Sequence, residues 1–180
     1  SYTNTYPFGQ GWGAGPVSPV LWNDWKAAEP TDMRREASII NLPVELPNYA
    51  KGGWVDFVQE TDFWCKKNVP VTAKNADGSY ASSYSVLMYG TDENFQLDNT
   101  MDITLIRLAD VYLMHSELTG TNTYMNKVRQ RAGLADVAYS LTALQNERRW
   151  ELAFEGVRWN DIRRWGIAGD LLQNQIGQPC

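Results

Sequence analysis

The stretch Glu147-Arg148-Arg149-Trp150-Glu151-Leu152-Ala153-Phe154-Glu155 combines regularly spaced acids with apolar residues at helical intervals. A helix aligns the carboxylates of its glutamates, which stand four residues apart, along one stripe: Glu147, Glu151 and Glu155. Arg148 lies on the neighbouring stripe, between Leu144 and Leu152, which should face a core. Because like charges at this spacing repel one another, cationic partners must lie close by. The stretch therefore predicts a helix held to its neighbours by ion pairs.

The cationic partners expected for these glutamates are all arginines: Arg129, Arg131, Arg158, Arg163 and Arg164. Arginine suits this role because its planar fork binds a carboxylate through two hydrogen bonds. One interpretation is catalytic, with paired carboxylates acting as acid and base on a glycosidic bond. The other is a structural ion network that fixes the register of helix pairs, formed by Arg148, Glu147, Glu151, Glu155 and Arg158. We favour the network, because glycosidase carboxylates project into a cleft rather than lie on an arginine-dense helix.

Apolar residues at helical spacing predict four helical segments in the last eighty residues: 101–118, 123–132, 142–155 and 157–165. Gly120 should end the first segment, and Gly133 the second, with Leu134 folding back over that end. Thr142 and Gln145 form a capping box that opens the third. The first segment is apolar over so much of its surface that it should be covered on more than one side. Short loops between the four segments predict antiparallel helix pairs.

The first hundred residues are interrupted by prolines and glycines and are predicted to be rich in loops. A short helix is expected over 20–28, and Thr31 with Asp32 should cap another helical turn. Residues 75–78 have the composition of a turn. Three short segments have strand character: 37–42, 69–73 and 80–88.

Composition restricts the class of protein. The chain has 180 residues, 43% of them hydrophobic, and a formal net charge of −5, which argues against nucleic acid as a partner. No apolar run reaches the length of about 20 residues that a membrane helix needs. One histidine and two cysteines do not make a structural zinc site, and His115 is expected to be a packing residue. Eight tryptophans and nine tyrosines indicate a protein that stacks against flat surfaces.

Three motifs resemble the SusD/RagB family: Arg107-Leu-Ala-Asp-Val-Tyr-Leu-Met-His-Ser-Glu117, Met125-Asn-Lys-Val-Arg-Gln-Arg-Ala-Gly-Leu134 and Glu147-Arg-Arg-Trp-Glu-Leu-Ala-Phe-Glu-Gly-Val-Arg-Trp-Asn-Asp-Ile-Arg-Arg-Trp-Gly166. They occur in the family's order and at plausible spacing. Upstream, residues 31–40 resemble the segment in which the family has an aspartate-arginine pair before a short strand. His115 to Leu118 departs from the small residues that family members have around this glutamate, which should affect local packing only.

The resemblance implies a mainly α fold, with tetratricopeptide-like helix pairs (an α/α superhelix), a loop-rich region and a few short strands. Residues 1–100 would be the ligand-facing loop-rich region and 101–180 the helical-hairpin region, together one C-terminal domain of a longer protein. That protein would be a surface-exposed lipoprotein of the outer membrane, anchored by a lipid outside this chain. It would bind an oligosaccharide or another nutrient for a SusC-type TonB-dependent transporter, with no enzymatic activity, cofactor or metal.

Binding a sugar requires flat apolar rings with polar groups at the rim. The loop-rich half supplies the candidate ligand contacts: Trp12, Asn23, Trp25, Trp54 and Trp64. An equally weighted alternative is that Trp22 and Trp25, three residues apart, dock a short helix on the core. The remaining tryptophans are assigned to helix packing: Trp150, Trp159 and Trp165.

Two other functions stay open from the residues alone. A helical-repeat module could bind a protein partner through its aromatic side chains, and a glycoside hydrolase fragment would use the glutamates. Cys65 and Cys180 are expected to be buried, unpaired thiols rather than a disulfide. Four acids could ligate calcium, although no EF-hand spacing supports it: Asp77, Asp92, Glu93 and Asp98.

Overall fold

A computed structural model of the protein describes residues 7–8, 16–49, 61–67, 69, 76–78 and 104–173. The chain divides into two compact units, Ser1–Ile103 and Thr104–Cys180. Among the described residues, helices predominate and the strands are two short ones. The prediction of a mainly helical fold with a few short strands is therefore confirmed.

The first unit alternates short helices with two strands: α1 (Pro19–Ala28), α2 (Met33–Ser38), β1 (Ile39–Asn41), α3 (Leu42–Glu45) and β2 (Phe63–Cys65). The strands pair antiparallel, with Ile40 opposite Trp64. A small apolar cluster forms around this ribbon, and its buried members are Phe8, Ile40, Leu42 and Leu46. The described residues contain one two-stranded ribbon with three residues in each strand. Because so short a ribbon is not stable alone, packing against helices stabilises it.

Polar caps determine where the helices of this unit begin. The hydroxyl of Ser18 accepts a hydrogen bond from the backbone N–H of Val20, and Pro19 occupies the first turn of α1. Asp32 caps α2 as predicted, because its carboxylate accepts from the backbone N–H of Arg34 at 3.0 Å. The strand predicted over 37–42 is shorter than expected. The reason is that α2 continues through Ser38 and α3 begins at Leu42, which leaves three residues for the strand.

Other predictions for this half have mixed outcomes. Residues 76–78 form a turn in which Gly78 has a φ of 85°, so the predicted turn is confirmed. Of the strand predicted over 69–73, Val69 alone is described, and it is not in a strand. The segment 80–88 lies outside the described residues. Within the acids considered for calcium, Asp77 is described and exposed.

The second unit is built from helices: α4 (Leu108–Thr119), α5 (Thr123–Arg131), α6 (Leu141–Glu151), α7 (Arg158–Arg164) and α8 (Ala168–Leu172). Helix α4 packs against both α5 and α6, and α5 packs against α6. These three helices enclose one apolar cluster: Ala109, Leu113, Met125, Val128, Leu144 and Leu152.

The predicted ends of α4 and α5 are confirmed. Gly120 ends α4 in the left-handed conformation, with a φ of 65°. Gly133 follows α5 with a φ of 74°, and the N–H of Leu134 bonds back to the carbonyl of Arg129 at 3.0 Å. Leu134 is buried over this end. These bonds satisfy carbonyls that the last turn of a helix leaves without partners.

The predicted starts are wrong in two places. The first helix begins at Leu108, because Arg107 is extended and its side chain is bound to Glu151, the last residue of α6, and to Glu155 beyond it. The third begins at Leu141, since Ser140 and not Thr142 is the cap, accepting from the N–H of Ala143 at 3.0 Å. It also ends at Glu151 rather than Glu155.

A left-handed turn accounts for the early end of α6. Phe154 and Gly156 have φ values of 66° and 76°, which a helix does not admit. Such a conformation is strained for Phe154, which carries a Cβ, so its surroundings must hold it there. Glu155 consequently lies outside the helix, off the stripe that Glu147 and Glu151 share.

Helix α4 is covered on more than one side, as predicted, because both α5 and α6 pack against it. Its Ala109 and Leu113 are buried in the cluster, whereas Leu108 and Leu118 are 62% and 87% exposed. The side of α4 that carries Leu108 and Leu118 is left exposed.

Candidate functional site

The tryptophans of α1 form the centre of an aromatic group in the first unit. Trp22 stacks on Phe63 of β2 with ring centroids 4.9 Å apart. The guanidinium of Arg35 lies 5.1 Å from the Trp22 ring and donates to the carbonyls of Glu29 and Pro30. Because Trp22 is buried among these groups, its ring faces serve packing.

Trp25 is fully buried, so the prediction that its ring contacts a ligand is wrong. Its indole N–H donates to the carboxylate of Asp32 at 2.8 Å, and Arg34 donates to the same carboxylate at 2.7 Å. The alternative interpretation, in which Trp22 and Trp25 dock a helix on the core, describes both side chains. Burial alone would raise the pKa of Asp32, but the hydrogen bonds from Arg34 and Trp25 outweigh it and hold that pKa below its usual value.

Asn23 and Trp64 are the candidate ligand contacts that the described surface leaves accessible. Asn23 is exposed on α1, between the two buried tryptophans. Trp64 is half-buried on β2 and meets the ring of Tyr49 edge to face, with centroids 4.7 Å apart. Trp12 and Trp54 lie outside the described residues. The first unit thus contains two of the five predicted contacts, Asn23 and Trp64, and both have surface that a ligand could reach.

The glutamates of the second unit are each bound by arginine. Glu147 accepts from Arg129 at 3.0 Å, and Glu151 accepts from Arg131 at 2.6 Å; both glutamates are buried. Arg107 donates to Glu151 and, through two nitrogens at 2.7 and 2.8 Å, to Glu155. Burial lowers the pKa of Arg107, but the two carboxylates raise it by more than burial lowers it. The guanidinium therefore stays charged. The three carboxylates act as anchors between segments rather than as free acids and bases.

Arg148 joins three helices at the centre of this unit. Its side chain is 5% exposed and donates to Asp110 of α4 at 2.7 Å and to Asp161 of α7 at 2.8 Å. Arg164 donates to Asp161 as well, at 2.9 Å, and to Glu117 of α4 at 2.8 Å. The bond from Arg164 holds the pKa of Glu117 below its usual value, against the opposing effect of burial. Arg148 therefore binds aspartates, and not the glutamates beside it in the sequence.

The arginines of α7 differ in their roles. Arg164 joins the ion-paired group, whereas burial and the neighbouring charge of Arg149 lower the pKa of Arg158. The charge of Asp161 offsets part of that effect on Arg158. Arg163 is exposed and lies 5.7 Å from the ring of Trp159.

The remaining aromatic predictions have separate outcomes. Trp150 is buried as predicted, and Trp165 is half-buried with its N–H donating to Glu117 at 2.8 Å. Trp159 is 53% exposed, so its assignment to packing is wrong. The reason is that the buried face of α7 is occupied by Asp161 and Ile162. His115 is exposed and meets the ring of Tyr124 edge to face, with centroids 4.5 Å apart.

The described ranges contain no group of three or more His, Cys, Asp or Glu side chains that could hold a metal ion. Cys65 is a free, half-buried thiol, and burial raises its pKa; Cys180 lies outside the described residues. None of the described helices is long and apolar enough to cross a bilayer.

Sequence reasoning missed four polar residues that hold the second unit together: Arg107, Asp110, Ser116 and Asp161. The hydroxyl of Ser116 is fully buried and accepts from the backbone N–H of Met125 at 2.9 Å, joining α4 to α5. One signal was present, because an arginine between two core leucines requires buried carboxylates nearby. Asp110, an acid on an apolar helix, and Asp161, beside the apolar Ile162, fit that requirement.

Comparison with known proteins gives matches that include the three motifs quoted above. The sequence model of the SusD family matches residues 22–179. The SusD-like protein P25 of Formosa agariphila is 36% identical over an alignment of 99 residues, and the match covers 46% of this chain and 19% of that protein.

Solved structures share the fold. A laminarin binding SusD-like protein superposes with a TM-score of 0.71 at 30% identity, over 95% of this chain and 34% of that one. The surface glycan-binding protein A of Bacteroides thetaiotaomicron, in complex with laminarihexaose, gives a TM-score of 0.69 at 24% identity, over 92% of this chain and 35% of that one. The chain thus spans about a third of the length of these structures and about a fifth of the curated relative.

Proposed function

The chain belongs to the SusD family, and on this premise we propose that it is part of a non-enzymatic protein that captures an oligosaccharide for uptake across the outer membrane. The observation that carries the proposal is the family match over residues 22–179 together with 30% identity to a laminarin binding protein. A soluble β-glucan of the laminarin type is therefore the first ligand to test.

The partners and location follow from the family and are part of the same proposal. The protein would deliver its ligand to a SusC-type TonB-dependent transporter, and a lipid anchor outside these 180 residues would hold it at the cell surface.

The two units would have different roles in binding. Exposed Asn23 and half-buried Trp64 provide polar and apolar surface in the first unit, and Trp12 and Trp54 remain proposed contacts of the same kind. Aromatic rings bind the apolar faces of sugars, while an amide reads hydroxyl groups. The second unit would be a scaffold, because its glutamates are bound by arginines. That arrangement supports binding without catalysis.

The test is isothermal titration calorimetry of the full-length protein against a panel of glycans that includes laminarin, starch and xylan. We expect heat with at least one of them, and a weaker affinity after Trp64→Ala or Trp12→Ala. Trp159→Ala is the matched control, since it removes an exposed tryptophan of the other unit. Circular dichroism verifies that each variant is folded.

If no glycan in a broad panel gives heat, the glycan proposal fails and a peptide or other nutrient takes its place. If Trp159→Ala weakens binding as much as Trp64→Ala does, the assignment of binding to the first unit is refuted while glycan binding stands.

A further inference from the structure

The ring of Trp64 lies on an element too short to hold it by itself. Strand β2 has three residues and, among the described residues, pairs with β1 alone, where Trp64 stands opposite Ile40. A ribbon of this size is not stable on its own. A ring that binds the flat face of a ligand has to be held close to one orientation, because a loosely placed ring loses affinity. The surroundings of Trp64 must therefore supply the rigidity that its own strand lacks.

Lys66 continues the strand that carries Trp64. Its backbone N–H donates to the carbonyl of Ser38 at 2.8 Å, which extends the ladder between β1 and β2 by one residue. Residues two apart on an extended strand place their side chains on the same face. Lys66 therefore stands on the face of the ribbon that bears Trp64, one position further along it.

The ammonium group of Lys66 contacts three other parts of the first unit. It donates to the carboxylate of Glu45 at 2.5 Å and to the backbone carbonyl of Glu36 at 3.0 Å. It also lies 5.5 Å from the centre of the Phe8 ring. An ammonium group has three N–H donors and no acceptor, so these contacts use most of what Lys66 can offer. The side chain of Lys66 is thus arranged to hold protein segments together rather than to bind a ligand.

Glu45 connects Lys66 to the segment that carries Tyr49. One oxygen of its carboxylate accepts from Lys66, and the other accepts from the backbone N–H of Asn41, the last residue of β1, at 3.1 Å. Tyr49 follows shortly after Glu45 in the chain, and its ring meets that of Trp64 at an interplanar angle of 84°. The two segments are therefore joined at two points, the ring contact and the ion pair. Loss of the ion pair would free the segment of Tyr49 to move away from Trp64.

From these contacts we infer that Lys66 and Glu45 are a positioning pair, which holds the indole of Trp64 against Tyr49 in the orientation that a ligand meets. Neither charged group touches the ligand, and both act through the ring. The inference rests on the proposed function, because the orientation of the ring serves binding only if Trp64 is a ligand contact. The competing interpretations are a direct contact between Lys66 and the ligand, and an ion pair that is structural only.

Fluorine NMR of the full-length protein, labelled with fluorotryptophan, tests the positioning without any ligand. The signal of Trp64 is identified by its loss in Trp64→Phe. We expect Lys66→Met and Glu45→Gln to shift or broaden this signal. The signals of Trp22 and Trp25 should not change, because both side chains are buried by other contacts. Lys66→Arg keeps a cation for Glu45 and should leave the Trp64 signal as it is in the native protein.

Lys127→Met is the matched control for Lys66→Met. Its ammonium also lies over a ring, 4.7 Å from the centre of Tyr124, but it belongs to the other unit. An unchanged Trp64 signal in Lys66→Met overturns the inference, as does an equal change in Lys127→Met. If Lys66→Met disturbs all the tryptophan signals, Glu45→Gln decides the question alone, because it preserves the shape of the side chain.

Calorimetry with laminarin then separates the three interpretations. We expect Lys66→Met to weaken binding about fivefold or more in the native background but less than about twofold in a Trp64→Ala background, since residues that act through one contact are not additive. Equal losses in both backgrounds mean that Lys66 contacts the ligand itself, and no loss in either means that the ion pair is structural only. Each of these results overturns the inference. If laminarin gives no heat with the native protein, the proposed function fails for this ligand, and the fluorine signals still decide whether Lys66 positions Trp64.

Discussion

Replacing Arg148 by alanine should destabilise the second unit by about 3 kcal/mol. Arg148 is 5% exposed and donates to Asp110 and Asp161 at 2.7 and 2.8 Å. Removing one member of a buried ion pair costs roughly 3–5 kcal/mol, because the remaining charge is left in a poorly solvated place. Arg164 would continue to bond Asp161, so the unpaired charge falls mainly on Asp110. We therefore expect a value near the lower limit of that range.

The assay is urea unfolding at pH 7 followed by far-ultraviolet circular dichroism, analysed by linear extrapolation. In thermal unfolding the same loss corresponds to a lowering of Tm by roughly 6–12 °C for a chain of this length. Arg131→Ala is the matched control, because its side chain is 62% exposed although it binds Glu151. Glu151 is buried but keeps Arg107 as a partner after this change, so we expect a loss of about 1 kcal/mol or less.

Two results would refute this reasoning. The first is a loss below about 1 kcal/mol for Arg148→Ala, which would place Asp110 and Asp161 in effective contact with water. The second is an equal loss for Arg131→Ala, which would mean that burial does not determine the value of these pairs. Arg148→Lys adds a further check, since it keeps the charge but removes the fork that reaches two aspartates.

Two further predictions concern caps. Asp32→Asn should lower stability by about 1–3 kcal/mol at pH 7, because it removes a charged acceptor from Arg34 and Trp25. The folded-state pKa of Asp32 is lowered from 3.8, so this contribution is present above the unfolded value and is lost as the pH falls through the folded one. Unfolding of both proteins at pH 7 and pH 3 should show the difference shrinking in acid, and a constant difference would contradict it. Ser140→Ala should cost about 1 kcal/mol, whereas Thr142→Ala should leave the unfolding midpoint nearly unchanged, because Ser140 makes the bond to Ala143; the reverse order in chemical denaturation would restore the predicted capping box.

Much of the helical unit could be predicted from the sequence because its signals are local. Gly120 and Gly133 end α4 and α5 where expected, since a left-handed residue is required there and glycine adopts it without strain. Asp32 caps α2 for a similar reason: the acceptor and the N–H it satisfies are two residues apart. Predictions of this kind depend on a few neighbouring residues.

The errors arise where packing and contacts in the folded chain decide the outcome. Arg107 is extended because its partners Glu151 and Glu155 lie more than forty residues away, and no local signal opposes a helix there. Trp25 is fully buried with its indole N–H bound to Asp32, a contact that a list of tryptophans does not reveal. Trp159 was assigned to packing by its type, although Asp161 occupies the buried face of α7.

The position of Asp161 has a consequence for how the protein is made. Arg148 is synthesised thirteen residues before Asp161, and Arg164, which ties α7 to Glu117, comes later still. While α7 is still inside the ribosome, the emerged α4 and α6 hold a guanidinium that has met only one of its two aspartates. The second unit therefore completes these ion pairs only after α7 has left the exit tunnel.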